Sequence, residues 1–227
     1  MYQALKDGIS LYKQKKYTEA LAFFLTVPDG DEEASLEIAY YLALCYMQLK
    51  KNEEAILYFE QVVTTASDLS RVRQARFLLA VLYSKTGRNR LADFELKKLI
   101  ESGRQDEKVF SSLAYVSWIQ GDSESSIRYY ERALELNPEY PTALNGLGYV
   151  LASLDKDLAR ALSLCKRAHD YNSSSAAFLD SVAWAYYKLG FLKEAKSFIK
   201  KAKRIDSLHP EIIAHYEIIF ETKEAAK

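Results

Sequence analysis

The chain predicts an all-α solenoid of six helix–turn–helix repeats followed by one capping helix, and three columns of residues carry that prediction. The first is a ladder of small residues, Ala20, Ala55, Ala92, Ser126, Ala161 and Ala195, at steps of 35, 37, 34, 35 and 34 residues. A period near 34 is that of stacked helical hairpins, none of which buries its apolar face alone. The second is a matching small column one helix earlier: Gly8, Ala43, Ala80, Ala114, Gly148 and Ala183. The third is a larger residue four places after each rung, at Phe24, Phe59, Leu96, Tyr130, Cys165 and Ile199. Three places later stand Val27, Val62, Leu99, Ala133, Ala168 and Ala202, so each set shares one helix face. Small side chains in both columns let paired helices approach closely, and the large residues fill the gaps between them.

The ladder divides the chain into units at 1–35, 36–70, 71–106, 107–140, 141–175 and 176–209, within one continuous domain over 1–227. In the first unit Ala4, Gly8 and Leu11 mark helix A, and Tyr17, Ala20, Leu21, Phe24 and Val27 mark helix B. Gly87, Gly121 and Gly190 stand in the A–B turn of three units, where a residue of positive φ ends the helix. Lys15 and Lys50 hold that place in the first two units, so the turn there must tolerate a side chain. Pro28, Pro138 and Asn172-Ser173-Ser174 follow helix B as breakers, while Pro141 and Pro210 suit the first turn of the next helix.

Two irregularities stand out. Unit 5 carries one extra residue between Gly148 and Ala161, which Asp155-Lys156-Asp157-Leu158 must absorb. The link through Thr64-Thr65-Ala66-Ser67-Asp68 is expected to be longer than the others and to allow a bend. Residues 210–227 hold a single helix's worth of sequence, with Tyr216, Ile218, Ile219 and Phe220 among Glu217, Glu221 and Lys223, to cover unit 6.

Composition narrows the function classes. The 227 residues carry 31 Lys and Arg against 31 Asp and Glu, which lacks the basic excess of a nucleic-acid binder. Charge is unevenly spread: residues 1–72 sum to −4, 73–106 to +4 and 107–140 to −3. The basic third unit holds Arg71, Arg73, Arg76, Lys85, Arg88, Arg90, Lys97 and Lys98, either a solvated surface or a patch for an acidic partner. A second basic row, Lys193, Lys196, Lys200, Lys203 and Arg204, poses the same choice on helix B of unit 6. Cys45 and Cys165 lie three repeats apart, too far for a disulfide, and read as core residues. No secretory leader and no apolar run of transmembrane length is visible.

Catalytic chemistry finds no constellation. His169, His209 and His215 share no metal-ligand spacing, and no phosphate loop, nucleophile elbow or paired-cysteine motif occurs. Neither catalytic residues, metal ligands nor a cofactor are assigned.

Tyr17-Thr18-Glu19-Ala20-Leu21, Asn52-Glu53-Glu54-Ala55-Ile56, Ala133-Leu134-Glu135-Leu136-Asn137-Pro138 and Ala183-Trp184-Ala185-Tyr186-Tyr187-Lys188-Leu189-Gly190 resemble tetratricopeptide repeats. The resemblance spans about 205 residues, departing at Ser126 and at the missing closing prolines of units 2, 3, 5 and 6. It implies a right-handed superhelix whose A helices line a concave groove. The columns it places there include Tyr40, Phe77, Tyr115, Trp118, Asn145, Tyr149, Asp180, Trp184 and Tyr187. Chaperone-binding members hold a terminal carboxylate with Lys and Asn four apart on helix A. Here those places hold Leu5/Ile9, Tyr40/Leu44, Phe77/Val81, Ser111/Tyr115, Asn145/Tyr149 and Asp180/Trp184, which argues against an Hsp70- or Hsp90-tail receptor.

The expected function is therefore non-catalytic: a scaffold or adaptor holding a peptide or protein in the groove, with no nucleic acid. The alternative is a self-assembling module of a larger, envelope-associated complex. The expected compartment is the cytoplasm, or the periplasm and envelope where a leader precedes the chain.

Overall fold

The computed structural model describes the backbone of residues 2–28 and 32–222 and the side chains of 5–28 and 34–222. Ala4 and Lys223, named above on helix faces, lie outside the described side chains. Among the described residues there are thirteen helices and no strand. Six hairpins run α1 (Tyr2–Lys13) with α2 (Tyr17–Thr26), α3 (Glu32–Gln48) with α4 (Asn52–Thr65), and α5 (Leu69–Lys85) with α6 (Asn89–Glu101). They continue with α7 (Glu107–Ile119) and α8 (Ser123–Leu136), α9 (Pro141–Ser153) and α10 (Leu158–Tyr171), and α11 (Ala176–Lys188) and α12 (Leu192–Ile205). A single helix, α13 (Pro210–Glu221), follows. The helices gather into two compact units, Met1–Gln105 and Asp106–Lys227.

All six rungs of the ladder are completely buried. The second column is buried throughout, and its glycines show why. A Cβ on Gly148 would lie 2.6 Å from Cys165 Sγ and 2.8 Å from the Ala161 carbonyl oxygen, so α9 rests directly on the α10 backbone. Ser126 fits the same slot, but its hydroxyl is buried without a hydrogen-bond partner, a desolvation cost of about 1–3 kcal/mol. Both cysteines are free and buried. Loss of solvation pushes their thiols up, to about 11 at Cys45 and about 12 at Cys165.

The turns follow the expected chemistry. Gly87, Gly121 and Gly190 take positive φ, and Lys15 (φ 62°) and Lys50 (φ 60°) adopt the same left-handed conformation with a side chain. Asp155 does so in unit 5, and the extra residue there places Asp157 at positive φ as well. Asp157 then caps α10 by accepting from the Arg160 amide.

The unit 2–3 link differs from expectation. Only Ala66–Asp68 separate α4 from α5, because the additional residues lengthen α5 to 17 residues. Asp68 caps that longer helix by accepting from Ser70 N, so α5 starts just beyond the three-residue link.

In the second unit successive A helices pack on one another, α7 on α9, α9 on α11 and α11 on α13. No comparable packing joins the B helices α8, α10 and α12 to each other. The A helices of this unit therefore lie on the inner side of its curve. Burial patterns agree. α12 buries one stripe (Ala195, Ile199, Ala202), whereas α7 buries residues around most of its circumference.

Candidate functional site

The first unit uses its groove aromatics internally. Tyr40 on α3 is 7% exposed and donates its hydroxyl to Gln74 Oε1 at 3.2 Å. The Arg71 guanidinium lies 4.2 Å from the centre of that ring and pairs with Glu37 at 2.6 Å. Phe77 on α5 is half-buried, with Arg104 at 4.8 Å from its ring centre. These contacts also absorb much of the basic third segment. Arg76 pairs with Glu95, Arg88 with Glu53, Lys97 with Asp93 and Lys98 with Glu101, all at 2.6–2.8 Å.

The second unit brings the other seven candidates together on the inner faces of α7, α9 and α11. The Asp106 side chain caps α7 by accepting from Val109 N, Pro141 starts α9, and Ser175 caps α11 by accepting from Phe178 N. These starts fix which residues face inward. Gly146 adds a close approach, because a Cβ there would meet the Tyr130 ring at 2.2 Å. Gly146 and Gly148 thus press α9 against α8 and α10 and set the position of Asn145 and Tyr149 between them.

The C-terminal end of this lining is filled by α13. Asp180 is 4% exposed and His215 6% exposed, and His215 Nδ1 lies 3.0 and 2.9 Å from the two carboxylate oxygens. Burial raises the Asp180 carboxyl above its ordinary range, although the facing imidazole pulls it the other way. The Trp184 ring stacks on His215 at 4.2 Å and 16°, and on Tyr187 at 5.2 Å. Its indole N–H donates to Ser153 Oγ at 3.1 Å. The Tyr187 hydroxyl meets Thr222 Oγ1 at 3.4 Å. Asp180, Trp184 and Tyr187 are therefore engaged by the chain itself.

The N-terminal end of the same lining is more open. Tyr115 is 50% exposed, Trp118 and Tyr149 are half-buried, and their rings meet edge-to-face at 6.1 Å and 87°. Tyr149 donates its hydroxyl to Glu211 Oε1 at 2.5 Å. Burial and that carboxylate both push the Tyr149 hydroxyl well up; at Tyr115 burial acts first and Glu211 second. Asn145 Oδ1 and Ser111 Oγ are buried without hydrogen-bond partners, one turn before Tyr149 and Tyr115 on the same helix faces.

Sequence reasoning missed Glu211, His215 and Ser153, the groups that organise this lining. The signal for them is spacing. His215 follows Asp180 by 35 residues, as Gln74 follows Tyr40 by 34 and Arg71 follows Glu37 by 34. Complementary polar residues one repeat apart lie on adjacent helices of the same kind. The second basic row is also partly explained, since Lys203 Nζ lies 3.8 Å over Tyr216 and Lys200 Nζ 5.2 Å over Phe220. No described helix is long and apolar enough to cross a membrane.

Comparison with known proteins accords with this architecture. A TPR repeat-containing protein of Pseudomonas aeruginosa is 28% identical over 120 residues, covering 51% of this chain and 20% of the relative. A chain of the APC/C hetero-tetramer Cut9–Hcn1 superposes with a TM-score of 0.73 at 15% identity, covering 95% of this chain and 42% of its own length. YrrB, described as a TPR protein with an unusual peptide-binding site, gives 0.55 at 17% identity, with 87% and 96% covered. This chain thus spans about a fifth of the bacterial relative and about two fifths of the Cut9–Hcn1 chain. The tetratricopeptide repeat family model matches residues 5–70 and 113–177, more than half of the chain. The chain belongs to the tetratricopeptide repeat family, whose fold is typically a non-catalytic module for binding proteins or peptides.

Proposed function

We propose that the chain is a non-catalytic adaptor that holds a peptide segment of a partner protein on the inner face formed by α7 and α9. The observation that carries this reading is the half-exposed Tyr115 ring beside Trp118, Tyr149 and Asn145. Large amphipathic rings of this kind anchor interfaces, because they bury area at little entropic cost and keep a polar edge. The peptide-binding site named for YrrB lends the reading support by likeness of fold. Asp180, Trp184 and Tyr187 serve instead to seat α13, which closes the inner face at its C-terminal end.

Affinity capture with mass spectrometry tests this. Trp184 is a poor target, because truncating it would also unseat α13; Tyr115→Ala with Trp118→Ala leaves the α13 contacts in place. The double variant is expected to keep the wild-type helical circular dichroism and to lose the partner that wild type retains. Unchanged capture by the folded double variant contradicts the reading.

A further inference from the structure

The chain covers several of its aromatic faces with its own cations. Arg71 stands over Tyr40, Arg104 over Phe77, Lys188 over Trp184, and Lys203 over Tyr216. Cations within about 6 Å of a ring centre are attracted by its quadrupole, most strongly where water is excluded. Among the described residues no Lys or Arg stands over Tyr115, Trp118 or Tyr149.

Tyr149 and Tyr115 of this group lie near a carboxylate. Glu211 is exposed at the start of α13 and receives one hydrogen bond, from Tyr149, on Oε1. Of the helices around it, α9 carries no charged residue, α7 carries one of each sign, and α13 holds Glu211, Glu217 and Glu221 with no Lys or Arg, its His215 being turned to Asp180. The one lysine of α11, Lys188, is held by Asp155 at 2.7 Å. The carboxylate and the aromatic faces both favour a group of positive charge.

We infer that this end of the lining recognises a Lys or Arg side chain of the partner peptide, with its alkyl stem across Tyr115 and Trp118 and its charged head at Glu211. The inference rests on the peptide-binding reading above and names the chemistry of its ligand. A cation placed there completes the pattern that the chain builds with its own residues at Tyr40, Phe77 and Trp184.

The chain has only two tryptophans, so two indole N–H resonances in a 1H–15N spectrum report on the two ends of the lining. The full chain is titrated with N-acetyl-lysine methylamide, N-acetyl-arginine methylamide, the uncharged N-acetyl-norleucine methylamide and N-acetyl-glutamate methylamide. The Trp118 resonance is expected to shift saturably with both cationic probes. The response to norleucine or glutamate should be at least about fivefold weaker, and Trp184, already bonded to Ser153, should stay still. Glu211→Gln is expected to weaken the cationic response about fivefold or more while the melting temperature holds, and added salt should weaken the wild-type response. An equal response to norleucine overturns the cation assignment and leaves the peptide-binding reading standing. A Trp118 resonance that no probe moves, or a cationic response unchanged in Glu211→Gln, also overturns it; the capture experiment then decides the groove by itself.

Discussion

Replacing His215 with alanine is expected to cost the second unit about 3–5 kcal/mol at neutral pH, a fall in melting temperature of about 10 °C. The imidazole faces both oxygens of Asp180, and the two side chains are 8% and 5% exposed. Removing it leaves a carboxylate buried without its partner, and strips the ring on which Trp184 stacks. The effect has a defined pH dependence. Burial raises the folded-state carboxyl of Asp180, so its protonated form favours folding below the ordinary Asp range. That contribution is lost as pH rises through the raised value, where the ionised group must be held by His215. Acidification is therefore expected to restore part of the stability of His215→Ala, and its deficit should be largest above neutrality. Asp180→Asn keeps the shape without the charge, and is expected to lose far less, alone or combined with His215→Ala. Thermal melts of the three variants across pH 5–8 check this. A His215→Ala deficit that is small, or independent of pH, would mean that α13 is held mainly by Ile212 and Ile219.

The second large effect is expected at Gly148. Helix propensity alone favours alanine there by about 0.8–1 kcal/mol. Packing opposes it, because the new Cβ would fall 2.6 Å from Cys165 Sγ and 2.8 Å from the Ala161 carbonyl. A backbone oxygen has no rotamer by which to withdraw, so α9 must lift from α10. Gly148→Ala is expected to lose about 1–3 kcal/mol net, and Gly148→Leu more. Gly87→Ala is a useful contrast: nothing lies within 4 Å of its built Cβ, and only the positive φ opposes substitution. Because Gly148 adjoins Tyr149, displacement of α9 should also reorient the Trp118–Tyr149 pair, visible as altered tryptophan fluorescence before melting. A raised melting temperature for Gly148→Ala would show that the small column is not what sets the helix spacing.

These two sites show which features were legible in the sequence. Gly148 belongs to a column repeated six times, and repetition separates a packing requirement from chance. The turn at Lys15 and Lys50 and the residue inserted near Asp155 were legible for the same reason, since they occupy a fixed phase of the repeat. The link near Ala66 misled because Thr64, Thr65 and Ser67 read as loop chemistry, while the preceding helix continues through Thr65 and Asp68 starts the next. Asp180 was placed on the inner face by its column, but its partner lies 35 residues onward in a helix without the ladder's pattern. Glu217, 34 residues after Ala183, is exposed where the earlier units are small and buried. That departure sets α13 apart from the earlier A helices. Its side chains, not the repeats alone, divide the lining into an occupied end and an open one.

If the chain works as proposed, its partner lies on the inner face at α7 and α9. Site-specific photo-crosslinking addresses it most directly, with p-benzoylphenylalanine in place of Tyr115 or, on the outer surface of α10, in place of Ser163. Both positions are solvent-exposed. A partner adduct is expected from position 115, lost in the presence of excess unlabelled chain, and none from position 163. An adduct from position 163 with none from position 115 would place the partner on the outer helices and rule out the inner face.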